Sequence, residues 1–245
     1  MMLLEPMLID NPQAYETGQE LDVMTRILDF DKARILELGC GSAWMTRSLA
    51  ARYPDCRFVA TEVDEVQHQK NLSAEPQANL EFRLEGAQSI AEQDASVDTV
   101  FMLKSLHHVP AKLMESAMDE IARVLKPGGV AYFSEPVYQG EFNALMSLIH
   151  DEKQVRELAF AAIRSLAGRD EMALQEQVFL NVPGCYESWE QFESRFLKVT
   201  HTRLDIDAAR YQQIKSAFMR HMGEGGAHFL KPHRIDVVRK RLSVH

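Results

Sequence analysis

ILELGCGSAW, residues 35–44, runs from a short apolar stretch through a glutamate into two glycines one residue apart. The apolar run closed by Gly39 reads as a buried strand over 33–38, and AWMTRSLAARY, 43–53, reads as a helix stopped before Pro54. A strand, a glycine turn and a helix N-terminus bring backbone N–H groups and a positive dipole end together, which favours an anion. A dinucleotide would set its pyrophosphate there, on a G-x-G-x-x-G turn. Trp44 stands where the third glycine of that turn belongs. Glu37 would also repel a pyrophosphate, by on the order of 3 kcal/mol at ~5 Å with an effective dielectric of ~20. The carboxylate beside the turn asks for a ligand with positive charge as well.

Outward from this stretch the pattern repeats. RFVATE, 57–62, is a second strand, EVQHQKNL is helical, and Leu80, Phe82 and Leu84 alternate in a third strand. DTVFML, 98–103, is a fourth. Pro110 opens a helix whose apolar face is Leu113, Met114, Ala117, Met118, Ile121, Ala122 and Leu125. Lys126-Pro127-Gly128-Gly129 ends it, and VAYFSE, 130–135, is a fifth strand. Strands alternating with helices imply a mostly parallel sheet covered on both faces, with ligands at the carboxyl ends of the strands. The rhythm then changes. Residues 137–180 hold helical periodicity without a strand, too long for a simple connection, and read as a helical insertion or lid. RFLKVTHTRL, 195–204, and RIDVVRKRL, 234–242, read as the last strands, with a helix over AARYQQIKSAFMRHM and a GEGG turn between them. The division expected is an N-terminal helical cap (1–30), a cofactor-binding core (31–136), a helical insertion or lid (137–194) and last strands completing the sheet (195–245).

The bulk numbers fit one large domain with an appendage: 245 residues, 46% hydrophobic and 26% charged. No apolar run approaches the roughly 18 residues of a membrane span. The N-terminus carries acids and no basic cluster, so no signal peptide is expected. Three cysteines make no disulfide framework and no metal spacing, which fits a cytoplasmic location. A net charge of −9 argues against a nucleic-acid partner. The one basic stretch, Arg234, Arg239, Lys240 and Arg241, reads better as a strand with solvated polar positions.

S-adenosylmethionine, which carries an ammonium, a sulfonium and one carboxylate, has the required signs: the ammonium for Glu37, directly or through water, and the carboxylate for the helix end. A second acid is then wanted at the next strand end for the ribose hydroxyls. Glu62 closes the second strand 23 residues after Gly39, near the roughly 20-residue spacing of ribose-binding acids. With ELGCGSA, ATEVD, SVDTVFMLKSLHHV and RVLKPGGVAYFSEP in order over about 33–136, the sequence resembles the class I S-adenosylmethionine-dependent methyltransferases. That resemblance implies an α/β, Rossmann-like, doubly wound, seven-stranded, mostly parallel sheet with an antiparallel last strand. It also implies cofactor contacts from Glu37, Gly39, Cys40 and Gly41 at the methionine end. Glu62 falls at the ribose, with Asp64 the alternative if the alignment slips by two and Val63 between them, and Lys104 follows the fourth strand. Ala43 replaces the family's last glycine. Gly86 stands where an adenine-binding aspartate is usual, so the ring contact is expected from Glu85, the Ala87 backbone or Gln88.

Methyl transfer is an in-line displacement for which positioning supplies much of the acceleration, and a base helps where the acceptor loses a proton. The candidates are His107, His108 and Glu135, each weighed against a local packing or capping role. Adjacent histidines are expected to diverge, and no metal site is expected. Trp44 and Tyr15 are candidates to cover the ligand, while His201, His221, His228 and His233 lack ligand spacing. The reading is a methyltransferase, monomer or homodimer, acting on a small-molecule acceptor. Against it stand a non-catalytic S-adenosylmethionine or S-adenosylhomocysteine sensor, an RNA or protein methyltransferase, and an NAD-dependent oxidoreductase.

Overall fold

The computed structural model describes residues 7–198 and 206–242. The strands are β1 (Tyr15–Thr17), β2 (Arg34–Leu38), β3 (Arg57–Glu62), β4 (Leu80–Leu84), β5 (Val97–Leu103), β6 (Leu125–Pro136), β7 (Met172–Tyr186), β8 (Met222–Gly223) and β9 (Gly226–Lys240). The helices are α1 (Glu20–Ile27), α2 (Trp44–Arg52), α3 (Glu65–Ser73), α4 (Ala111–Val124), α5 (Gly140–Met146), α6 (Lys153–Ala167), α7 (Trp189–Phe196) and α8 (Ala208–Met219), with a 3-10 turn over Leu106–His108. One sheet runs β1-β7-β9-β6-β5-β2-β3-β4, and β8 pairs with β9. β9 is antiparallel to both β6 and β7; β2 to β6 pair in parallel. This is the expected Rossmann-like sheet with its antiparallel last strand, extended by the short β1 and β8.

Alternation along the strands feeds two cores. Ile35 and Phe101 point to the face covered by α1 and α2 through Val23, Met24 and Leu49. Leu36, Val100 and Met102 point to the opposite face, where Ile121 and Met118 of α4 and Ile163 of α6 cover them. The period-2 geometry therefore puts Glu37 on the α2 side, next to Thr46.

Four expectations need correction. The segment 137–194 is not helical throughout, because β7 interrupts it between α6 and α7. The last strand starts at Gly226 and not at Arg234. Residues 195–196 end α7, and 199–204 of the strand expected there lie outside the described residues. Among its described residues, the N-terminal segment contributes one eight-residue helix and a three-residue strand, not a set of helices.

The β7–β9 hairpin positions the site. β6 pairs with β9 from Val130↔Arg239 to Pro136↔His233. β7 and β9 continue beyond that point, to Tyr186↔Ala227. Residues 227–232 and their partners therefore overhang the carboxyl end of β6. A third core of Tyr186, Trp189, Phe192, Phe218 and Phe229 packs α5, α7 and α8 against this overhang.

Candidate active site

The chain leaves β2 through Gly39 (φ 72°) and Gly41 (φ 53°), and Ala43 (φ 54°) precedes α2 in the left-handed region. Only glycine enters that region without strain. A Cβ at Gly39 would also lie 2.8 Å from Ser105 Cβ. Ser105 Oγ donates to the Leu38 carbonyl at 2.8 Å, clamping the turn to the end of β5. At Gly41 a Cβ would meet nothing within 4 Å, so the turn faces open space. Asn71 of α3 steadies it from behind, donating to the Gly41 carbonyl at 2.7 Å and lying against the buried Cys40 thiol. Burial, with Glu37 and Glu62 nearby, pushes that thiol far up, so it fills space and is no nucleophile.

Glu37 is 3% exposed and accepts from the Thr46 hydroxyl. Burial pushes its carboxyl up to about 8, against the opposing pull of Thr46 and Lys104; Glu20 and Glu62 add to the rise. Glu62 is buried at the end of β3, where Oε2 accepts from Gly41 N–H at 2.8 Å and Oε1 from Val63 and Asp64 N–H at 2.7 and 3.0 Å. Asp64 is committed as N-cap of α3, accepting from Val66 and Gln67 N–H. The Val63 side chain is exposed. Gly86, Ala87 and Gln88 follow β4, with the Gln88 amide folded over Gly86. Glu85 beside them keeps one buried oxygen without a partner among the described residues; burial raises its carboxyl.

Lys104, also left-handed (φ 57°), ends β5 and pairs with the buried Glu20 of α1. These two and Trp44, which is 57% exposed, open onto a cavity of about 590 Å³ between the sheet's carboxyl edge and the hairpin overhang. His107 lines it, and Glu135 stands behind His107, the two being neighbours because β5 and β6 are. His107 Nδ1 binds Glu135 Oε2, and Leu106 N–H donates to Oε1 at 3.0 Å. Glu135 is thus engaged with the histidine and does not cap α5. Burial alone would lower the His107 pKa, but the Glu135 carboxylate wins and raises it; His107 in turn holds Glu135 low against its own burial. The imidazole is fixed by one nitrogen and presents Nε2 toward Glu152, 4.0 Å away.

The expectation that His107 and His108 diverge is overturned. Their ring centroids are 4.1 Å apart, and one ligand-type atom from each lies within 4.8 Å of the others and of Glu152. Packing of α6 against the 3-10 turn brings Glu152 there. Arg156 binds Glu152 Oε2 at 2.6 Å, so a guanidinium already takes the carboxylate a cation would need. Tyr15 does not join Trp44. It packs at a tilt against Phe179 and, with Gln139, lines an adjoining recess that shares Pro183, Gly184 and Pro232 with the cavity. His233 lines the cavity but stays neutral, because burial depresses its pKa to about 4.

Glu20, Glu152, Arg156, Arg195 and Lys231 line the cavity without any sequence signal to mark them. The basic stretch at the C-terminus is spent internally. Arg234 pairs with Asp236 at 2.6 Å, Lys240 donates to the Leu125 carbonyl at 2.9 Å, and Arg241 to the Met172 carbonyl at 3.1 Å.

A sheet in this order, with a glycine turn and acids at the ends of its first two core strands, defines a class I methyltransferase domain. Residues 35–129 match the family described as "Methyltransferase domain", which supports a class I S-adenosylmethionine-dependent methyltransferase domain over that stretch. A ubiquinone biosynthesis O-methyltransferase of Xanthomonas oryzae pv. oryzae is 29% identical over 115 residues, covering 46% of this chain and 47% of the relative. A trans-aconitate 2-methyltransferase of Variovorax paradoxus is 29% identical over 132 residues, 51% of this chain and 49% of that one. The chain thus spans about half the length of these curated relatives. The crystal structure of the YcgJ protein of Bacillus subtilis covers 91% of this chain and 98% of its own with a TM-score of 0.64, at 19% identity, a likeness of fold.

Proposed function

We propose that the protein transfers a methyl group from S-adenosylmethionine to a small-molecule acceptor held in the cavity, and that His107 takes the acceptor's proton. The carrying observation is the His107–Glu135 dyad at the wall of a cavity that shares Lys104, Glu20 and Trp44 with the glycine-turn side. Glu37 draws the cofactor ammonium, and the Gly39-Cys40-Gly41 backbone takes its carboxylate. Glu62 has committed three of roughly four lone pairs, so a ribose hydroxyl takes the last or displaces the Gly41 N–H. The Val63 and Asp64 backbone and the stretch Gly86, Ala87 and Gln88 flank the adenosine, with the free oxygen of Glu85 suited to the ring amine. His108 stands beside the dyad as a second polar contact.

In the reaction the acceptor atom attacks the methyl carbon in line with the breaking carbon–sulfur bond. His107 accepts the proton, Glu135 stabilises the imidazolium, and S-adenosylhomocysteine leaves. The reading is supported by a histidine whose partner fixes its tautomer and raises its basicity. A general base must be neutral, so the rate should rise with pH through a pKa above the usual 6.5. Glu135→Gln should move that rise to lower pH and lower the plateau, within the 10²–10⁴-fold typical of acid–base catalysis. S-adenosylhomocysteine release across pH, for wild type, His107→Asn and Glu135→Gln, tests it. Cofactor binding without turnover on any small acceptor would favour the sensor, and turnover only on RNA or protein would replace the acceptor class. Recovery of a chelated enzyme by added zinc would reassign His107, His108 and Glu152.

A further inference from the structure

The cavity's charges do not balance. Lys104 is paired with Glu20, and Arg156 with Glu152. Two more cations line the same space, Lys231 on the overhang of β9 and Arg195 on α7. Neither has a carboxylate or hydrogen-bond acceptor among the described residues. Lys231 is held only by ring faces, its ammonium 5.4 Å from the centroid of Phe142 and 6.0 Å from that of Tyr186. Arg195 lies against its neighbour Phe196, 5.8 Å to the centroid. In a chain of net charge −9, the half-buried Lys231 stands in a concave site with no paired acid among the described residues, and the exposed Arg195 adds a second positive charge to the same lining.

The site is shaped around Lys231. A Cβ at Gly184, on the adjacent strand, would come within 2.8 Å of Lys231 Cε and Nζ. Glycine there leaves the room in which the lysine folds back over the rings. Tyr186, 2% exposed, lines the cavity, and its hydroxyl has no partner among the described residues. Burial, then the repulsion of Arg195 and Lys104, outweighs the more distant pull of Glu20 and holds the Lys231 ammonium below the usual lysine range. A half-buried charge beside like charges carries an energetic penalty that a ligand of opposite sign relieves.

We infer that the methyl acceptor is an anionic small molecule, a carboxylate, whose charge is bound by Lys231 and Arg195 and whose planar apolar part lies along Phe142, Tyr186 and Phe196. This rests on the reading of the cavity as the acceptor site. Lys231 is a specificity residue, since it stands on the overhanging hairpin while the His107–Glu135 dyad stands at the sheet's edge. The carboxylate enters toward the overhang, and the group to be methylated points back to His107 and the sulfonium. An amide or ester of the same acid keeps the apolar contacts and leaves the two cations unmatched.

The test uses the full chain with S-adenosylhomocysteine bound, and reads affinity by calorimetry. The probes are a panel of aromatic and unsaturated carboxylic acids with their primary amides and methyl esters, and inorganic phosphate as a bare anion. Acids should bind at least tenfold more tightly than their matched amides. Lys231→Met should remove that preference, Lys231→Arg should keep part of it, and Gly184→Ala should weaken acids by displacing the lysine. S-adenosylhomocysteine affinity should be unchanged in Lys231→Met, which also reports that the variant folds. Phosphate binding that depends on Lys231 but exceeds that of every organic acid would overturn the carboxylate in favour of a phosphorylated acceptor. Equal binding of acids and amides, or no Lys231-dependent binding of any anion at tens of millimolar, overturns the inference while intact cofactor binding leaves the methyltransferase reading standing. Acids that bind through Lys231 without turnover would uphold the anion site and sink the catalytic reading.

Discussion

At Glu37 the buried carboxyl and the cationic ligand proposed for it would be coupled through a proton. In the empty site burial pushes its pKa up to about 8, so near neutral pH the group is mostly uncharged. A ligand ammonium favours the carboxylate, so binding should release a proton, and affinity should climb with pH until about 8 and then level. Calorimetry in buffers of different ionisation heat measures that release; none at pH 7 would refute the coupling. The stability linkage runs the other way. A carboxyl whose folded pKa is raised binds more protons folded than unfolded, so its contribution is full below the unfolded value and lost as pH rises through about 8. Glu37→Gln should remove that slope between roughly pH 4.5 and 8, leave the empty protein more stable at pH 8.5, and weaken S-adenosylmethionine binding at least tenfold.

The two glycines of the turn separate stability from binding. Alanine at Gly39 meets both a left-handed backbone and the Ser105 Cβ, so Gly39→Ala should cost about 2–3 kcal/mol. At Gly41 the strain is the same in kind, but the added methyl enters open space. Gly41→Ala should cost only about 1 kcal/mol and still abolish cofactor affinity, because that space is where the ligand must approach. Denaturant melts alongside cofactor titrations distinguish the two. Equal losses of binding at equal cost in stability would mean the turn is a structural corner only.

Among the elements, β9 ties the fold together through one polar cluster. Arg234 pairs with Asp236 at 2.6 Å, stacks 3.9 Å from the Phe160 ring of α6, and Asp236 also accepts from Gln177 of β7 at 2.6 Å. Both ions are buried. Removing one partner leaves the other charge unpaired, so Asp236→Ala should cost about 3–5 kcal/mol. Replacing Arg234 and Asp236 together by Met and Leu should cost much less, a non-additivity visible in a double-mutant cycle. β7, the other side of that hairpin, was the element hardest to read. Its Gln175, Glu176 and Gln177 and its Pro183-Gly184 interrupt the alternation that marks a strand. A register shift between Leu174 and Glu176 moves the faces midway, and it follows directly on the strongly periodic α6. β2 to β6 were legible for the opposite reason: most are apolar, sandwiched between helices and closed by turn residues.

Across the whole molecule, what the sequence disclosed and what it hid follow from distance along the chain. Glu37, Gly39, Gly41 and Glu62 lie at consecutive strand ends, so spacing alone was enough to nominate them. His107 and Glu135 could be nominated singly, but their bond exists only because β5 and β6 are neighbours. Glu20, Arg156, Arg195 and Lys231 meet because the β7–β9 hairpin overshoots the sheet and folds back over its edge, which no local pattern encodes. The same geometry divides the molecule thermodynamically. The cofactor side is built on β2, β3 and β4 and the two sheet-face cores; the cap of α5, α7 and α8 has an aromatic core of its own. S-adenosylhomocysteine at a hundred times its Kd should add about 2.7 kcal/mol, raising Tm by roughly 5–11 °C for a chain of this size. Its protection against amide exchange should concentrate at 39–41 and 62–64. An acceptor bound between the two parts should instead slow exchange in α5, α7 and residues 182–186, because it bridges the cap to the sheet. Cofactor alone slowing exchange equally in the cap and the sheet would mean that one cooperative unit opens as a whole, and that the cap is not a separate closure over the acceptor.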